Sequence, residues 1–243
     1  MNVPDSHPRK ASLDIRHRLT EAYQMGLVAD AGLIAHGRGE AFDYLLGERT
    51  VHEAEAAEKA AAAMLLIAEN PVVSVNGNTA ALVAGDTVAL AGLTGAEIEV
   101  NLFYRTVERE KRIADELRNA GAKRVYGLTK KHGIDGLSSE RANVDDPLWN
   151  ADVVLLALED GDRTEALRNT GKKIIAIDLN PLSRTALKAD ITIVDNIVRA
   201  FPAMVEHALQ FKRRPRKELE AIVDAFDNKK CLEAVVKKIR GSL

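Results

Sequence analysis

Residues 173–196 read K-I-I-A-I-D-L-N-P-L-S-R-T-A-L-K-A-D-I-T-I-V-D-N, and this stretch sets the fold class. Lys173 to Ile177 and Ile191 to Val194 are short apolar runs, rich in β-branched residues and without strict polar alternation. That is the pattern of strands buried on both faces. Each run stops at an acidic residue, Asp178 or Asp195, and a polar segment lies between them.

Runs of the same kind occur at Val72–Val75, Glu97–Leu102, Arg124–Gly127 and Val153–Ala157. Segments with helical character at Thr79–Ala91, Glu108–Ala120 and Arg163–Thr170 separate them, with Gly121 and Gly171 where helix C-caps are expected. Strands alternating with helices predict an α/β fold with a mainly parallel sheet and helices on both faces. The flanks are helical. Apolar spacing predicts two helices between Ser12 and Gly47, the first ending at Gly26, and a third from Thr50, where Thr50 and Glu53 match a capping box, to Glu69 before Pro71. Val198–Leu243 returns to helix, broken near Pro215 and near Asp227 and Asn228. Thr129–Asn150 shows no convincing periodicity and reads as an irregular excursion or lid. The economical organisation is one domain over 1–243, with a helical part at 1–70, an α/β core at 71–197 and C-terminal helices at 198–243.

Composition narrows the function classes. With 46% hydrophobic and 29% charged residues the chain matches ordinary globular usage, which argues against disorder. A net charge of −2 gives no global basic field for a nucleic-acid partner. Cys231 is the only cysteine, so an intrachain disulfide framework and a cysteine zinc cluster are both excluded. Neither the polar start of the chain nor any later stretch resembles a signal peptide or membrane span, so a cytoplasmic protein with no membrane partner is expected.

Ligands of open parallel sheets lie beyond the carboxyl ends of the strands. Asp178 stands there, either to accept hydrogen bonds from a ribose or to cap the following turn. Ser183, Arg184 and Thr185 supply hydroxyls and a cation suited to phosphate, although Arg184 fits an ordinary surface charge equally well. The turn at Asn76-Gly77-Asn78 reads as a holder of a small polar substrate or as a plain capped turn. Gly37 and Gly39, flanking Arg38 inside a helical pattern, imply close backbone approach to a ligand or to a neighbouring helix. Glu159, Asp160 and Asp162 form an acidic turn that either holds Mg²⁺ or complements a helix dipole. No phosphate-binding G-x-x-x-x-G-K-[ST] loop, G-x-G-x-x-G fingerprint, H-E-x-x-H or G-x-S-x-G motif is present. From the residues alone the reading stops at an α/β enzyme or binding protein for a phosphorylated ligand.

Taken in order, G-L-I-A-H-G-R-G-E-A-F-D-Y-L at 32–45, N-P-V-V-S-V-N-G-N at 70–78, E-V-N-L-F-Y-R-T at 99–106, L-E-D-G-D-R-T-E-A-L at 158–167 and I-D-L-N-P-L-S-R-T-A at 177–186 resemble the archaeal phosphopantothenate synthetases. S-H-P-R at 6–9 and A-D-I-T-I-V-D-N-I-V-R-A at 189–200 belong to the same set. The resemblance implies a Rossmann-like, homodimeric ligase that condenses 4-phosphopantoate with β-alanine, using ATP and Mg²⁺ and releasing AMP and diphosphate, on the route to coenzyme A. It places the nucleotide on Arg16, Arg38, Asp178, Leu179, Asn180, Arg184, Thr185, Asn196 and Ile197. With phosphate charge developing in the reaction, Arg38 and Arg184 are the candidate catalytic cations. Asn76, Asn78 and Arg105 are candidates for holding phosphopantoate. The competing readings are a ligase for unphosphorylated pantoate, whose H-I-G-H-type motif is absent here, and a noncatalytic nucleotide-binding regulator.

Overall fold

The computed structural model describes residues 4–7, 9–137 and 139–241. The expected last helix is therefore traced only to Gly241, and the S-H-P-R string lacks its Pro8, which lies outside the described residues. Three helices lead: α1 (Lys10–Gln24), α2 (Asp30–Leu46) and α3 (His52–Ile67). Strand β1 (Pro71–Val75), helix α4 (Gly77–Thr94), strand β2 (Glu97–Val100) and helix α5 (Val107–Asn119) follow. A two-stranded ribbon, β3 (His132–Gly133) with β4 (Asn143–Val144), and a short helix α6 (Asp146–Asn150) come next. The chain then runs through β5 (Val153–Ala157), α7 (Gly161–Asn169), β6 (Lys173–Ile177), α8 (Arg184–Lys188) and β7 (Ile191–Ile193). It closes with α9 (Ile197–Phe211), α10 (Arg216–Asp224) and α11 (Asn228–Gly241).

The main sheet is wholly parallel, in the order β2-β1-β5-β6-β7. The chain leaves β1 in one direction to make β2, then returns to the other side of β1 with β5. Their carboxyl ends therefore diverge at a topological switch point between β1 and β5. Each strand divides its side chains between two buried layers. Val73, Val75, Leu155, Ile175 and Ile177 meet α3, α4 and α9, whereas Val72, Val154, Leu156, Ile174 and Ala176 meet Leu148, Ala166, Leu167 and Ala189. Burial on both faces is why these strands carry no polar alternation. The α/β fold expected from sequence, a parallel sheet with helices on both faces, is thus observed.

Alanine sets the spacing on the first face. Ala57, Ala60, Ala61, Ala62 and Ala63 of α3 are all buried, and so small a surface lets α9 and β7 approach closely. In α4 the backbone leaves helical geometry at Val83, and Arg18 of α1 donates to the carbonyls of Ala81 and Leu82 beside the kink.

Three local expectations are corrected. Arg124–Gly127 is not a strand but makes a single parallel bridge, Tyr126 to Glu99. Gly127 turns the chain away at φ +92°, and the Asp145 carboxylate takes the N–H groups of Gly127 and Leu128 that a further ladder would need. The capping box at Thr50 and Glu53 does not form. The helix starts at His52, Thr50 Oγ1 donates 2.6 Å to Asp195, and Glu53 pairs with Lys238. Thr129–Asn150 is no lid: Ile134, Val144 and Leu148 pack beneath the sheet, and the buried Glu99 carboxylate accepts from the N–H groups of Asp145 and Leu148.

Candidate active site

A cavity of about 770 Å³ opens at the carboxyl end of the sheet. Its walls are the inner side of α2, the N-termini of α4 and α7, the segment after β2 and the loop from β6 into α8. The switch point lies within it. Asn76, directly after β1, ties the crevice together: its Nδ2 donates 2.7 Å to Ala157 O and 3.3 Å to Leu158 O, across the gap to β5. Its Oδ1 meanwhile accepts from Thr79 N at 3.1 Å and so caps α4. Asn78 Nδ2 donates to Gly32 O, which holds α2 against the same corner. Gly77 has no room for a side chain, because a Cβ there would lie 2.3 Å from Leu27 O.

The β6–α8 loop forms the opposite wall. Asp178 accepts from Asn180 N at 2.9 Å and from Ser183 Oγ at 2.5 Å, so the capping alternative describes its bonds in this structure. Burial pushes its carboxyl upward, opposed by those two bonds and by the Arg38 guanidinium. Asn180 Oδ1 accepts from Leu182 N, and Thr185 Oγ1 donates 2.8 Å to Glu159 O, joining the α8 loop to the β5 loop. Arg184 lies over Gly161, whose absent Cβ would meet the Arg184 Cβ at 2.4 Å, and pairs with Asp162 and Glu165 at 2.8 and 3.2 Å. Arg38 projects from α2 into the cavity and makes no ion pair among the described residues.

Of the residues singled out from sequence, Arg38, Asp178, Asn180, Arg184, Thr185, Asn76 and Asn78 share this cavity. Arg16, Leu179, Asn196, Ile197 and Arg105 do not line it. Arg16 holds Glu40 in a fork, Nε and Nη2 at 2.7–3.0 Å, and donates to Tyr44 Oη. The close approach expected at the two glycines is not found: a Cβ at Gly39 would meet the buried Leu179 of the β6–α8 loop at an ordinary 3.4 Å, and Gly37 faces open space. Asn196 caps α9 and donates to Asp43, while Ile197 belongs to the core. The Arg105 side chain is fully buried, bonded to Glu110 Oε1 at 3.1 Å, Asn101 Oδ1 at 2.9 Å and Asn143 O at 3.0 Å.

Sequence reasoning missed several walls. Arg109, one turn into α5, reaches the cavity and donates to the carbonyls of Tyr104 and Leu27, with no carboxylate partner among the described residues. Its Nε is buried with no hydrogen-bond partner among the described residues. The signal was present: Thr106 is a good N-cap, its Oγ1 accepts from Arg109 N, and that register turns Arg109 toward the strand ends. Phe103 and Tyr104 stand exposed at the mouth with Arg141 stacked 4.1 Å from the Phe103 ring centre. Glu159, named in sequence only as part of an acidic turn, lines the cavity with its side chain 10% exposed, and burial lifts its carboxyl to about 7. The Glu159, Asp160 and Asp162 turn opens α7, and Asp160 caps it through Arg163 N.

A phosphopantothenate/pantothenate synthetase family model matches residues 53–242. The chain belongs to that family. Within it, the chain is 55% identical to the 4-phosphopantoate–beta-alanine ligase of Thermococcus kodakarensis, with all of this chain and 94% of the relative aligned. It is 47% identical to the ligase of the same name from Methanosarcina mazei, with all of this chain and 96% of that protein aligned. A synthetase of this family is an enzyme. No helix among the described residues of this synthetase is long and apolar enough to cross a membrane.

Proposed function

We propose that the enzyme condenses 4-phosphopantoate with β-alanine at the switch-point cavity, consuming ATP and producing 4′-phosphopantothenate, AMP and diphosphate. The observation that carries the reading is one cavity large enough for two substrates, lined by Arg38 and Arg109, neither of which has a carboxylate partner among the described residues. Such an arrangement suits two anionic ligands held side by side.

A carboxylate resists attack by an amine, so the acid must first be activated. The pantoyl carboxylate attacks the α-phosphorus of ATP, the bond to the β-phosphate oxygen breaks, and diphosphate leaves. The amine of β-alanine then attacks the acyl-adenylate and AMP departs. Arg38 and Arg184 are positioned to compensate charge on the triphosphate, with Asp178 available to the ribose once it exchanges its Ser183 contact. Arg109 takes over the anion-holding role expected of Arg105, and the alanines and Phe42 of α2 offer an apolar wall for the methyl groups of the acid. Among the described residues no group of three or more His, Cys, Asp or Glu converges into a cage for a metal. When bound, Mg²⁺ would neutralise charge on the phosphate oxygens of the nucleotide.

Product analysis with 4-phosphopantoate, β-alanine and MgATP tests the reading. AMP and diphosphate are expected in equal amounts with the amide; ADP and phosphate would reject the adenylate. A parallel assay with pantoate should give far less product, and a preference for pantoate would reject the substrate.

A further inference from the structure

The proposed reaction needs a neutral amine, yet β-alanine carries an ammonium at neutral pH. We propose that Glu159 is the general base that takes this proton. The inference rests on the condensation proposed above.

The backbone before Glu159 is held in an uncommon shape. Leu158 has φ +52°, a left-handed conformation that costs energy in a branched residue and persists only when its surroundings enforce it. Three hydrogen bonds do so here. Leu158 N donates 3.1 Å to Ile177 O, Leu158 O accepts from Asn76 Nδ2, and Glu159 O accepts from Thr185 Oγ1. They come from the end of β6, the turn after β1 and the first turn of α8. Together they fix a kink immediately after β5 and turn the Glu159 side chain into the cavity at the switch point. A plain strand-to-helix connection needs no such kink, because Asp160 already caps α7.

The carboxylate is positioned by one hydrogen bond and one longer ion pair. Oε1 accepts from Asp160 N at 3.1 Å, and Oε2 is 3.6 Å from Arg163 Nε, beyond hydrogen-bond length. Arg163 is otherwise engaged by Asn101 Oδ1 and Arg141 O. The charged groups around Glu159 are Asp160 and Arg163 on its own loop and helix, Asp178 and Arg184 from the β6–α8 side, Arg38 from α2 and Arg109 from α5. Burial outweighs the Arg163 attraction and lifts the carboxyl to about 7, which matches a base working near neutrality.

The step balances. One ammonium proton moves to Glu159, the freed nitrogen pair forms the C–N bond, and the C–O bond to AMP breaks with its pair leaving on the phosphate oxygen. The amide nitrogen releases its second excess proton to water, as does Glu159 before the next turnover.

Glu159→Gln separates the two half-reactions. Phosphopantoate-dependent exchange of labelled diphosphate into ATP should persist in the variant, while amide formation with β-alanine falls by about 100-fold or more. Hydroxylamine, already neutral at the assay pH, should restore product formation to near the wild-type rate with that nucleophile. In the wild-type enzyme kcat/KM for β-alanine should rise with pH through about 7 and level off, a limb that hydroxylamine lacks. Equal loss with both amines, or loss of exchange in the variant, overturns the role of Glu159 while leaving the condensation intact. Absence of exchange in the wild-type enzyme overturns the adenylate itself, and the base with it.

Discussion

Two arginines four residues apart divide the work that sequence assigned to one. Arg105 precedes the Thr106 cap and turns inward, where removing it would leave Glu110 buried without its closest cation. Arg105→Gln should therefore destabilise the fold by about 3 kcal/mol in denaturant titrations. Arg109 has no carboxylate partner to abandon among the described residues. Arg109→Gln should leave the unfolding midpoint nearly unchanged and raise KM for 4-phosphopantoate at least tenfold, as expected for losing a charge-assisted bond of about 1.5–3 kcal/mol. On the nucleotide side, Arg38→Ala should raise KM for ATP without a change in stability, because Arg38 is exposed and makes no ion pair among the described residues. Unchanged ATP kinetics would remove it from the site. Residue types at strand ends were legible in the sequence: Asp178, Thr185, Asn76 and Arg38 do meet. What a single chain of letters did not reveal was direction. Whether an arginine faces a cavity or a buried glutamate depends on helix register and on partners, such as Glu40 for Arg16 and Glu110 for Arg105, that come from elsewhere in the fold.

At the scale of elements, α3 shows how tertiary context overrode a local signal. The capping pattern at Thr50 was sound chemistry, but Asp195 at the end of β7 competes for the Thr50 hydroxyl and wins. The same helix carries Glu58, 1% exposed, with Oε1 lacking any hydrogen-bond partner among the described residues. Burial, reinforced by Asp195 and Glu55, lifts its carboxyl to about 8. In the unfolded chain an ordinary glutamate ionises near about 4.3. Between those two values the folded state holds a proton that the unfolded state has lost, so this group makes stability fall as pH rises, with no further change above about 8. Glu58→Gln should remove that slope: at pH 9 its Tm should exceed wild type by about 4 °C or more, and at pH 4 the two should agree closely. Parallel melting curves at all pH values would show that Glu58 does not titrate in this window.

For the molecule as a whole, alternation of runs and helices was enough to predict a parallel sheet, since short crossovers with buried strands permit little else. Strand order was not readable. It depends on which side of β1 the chain returns to after the β3–β4 ribbon and α6, and that is decided by the apolar layer of Ile134, Val144 and Leu148. The consequence reaches function, because the return places the loop after β5 beside Asn76 and creates the crevice. A site assembled from five separate segments should couple ligand binding to global stability. Saturating MgATP should raise Tm by several degrees in the wild-type enzyme and by much less in Arg38→Ala, read by calorimetry.

Asn76 and Gly77 also form the dipeptide in which a side-chain amide is most open to attack by the following backbone nitrogen, the route by which proteins deamidate as they age. Here both ends of that amide are pinned and Gly77 is wedged against Leu27. The native crevice thus protects a chemically labile pair, and only its opening exposes it. The slow appearance of aspartate at position 76 would act as a clock for that opening, one that bound substrates should slow.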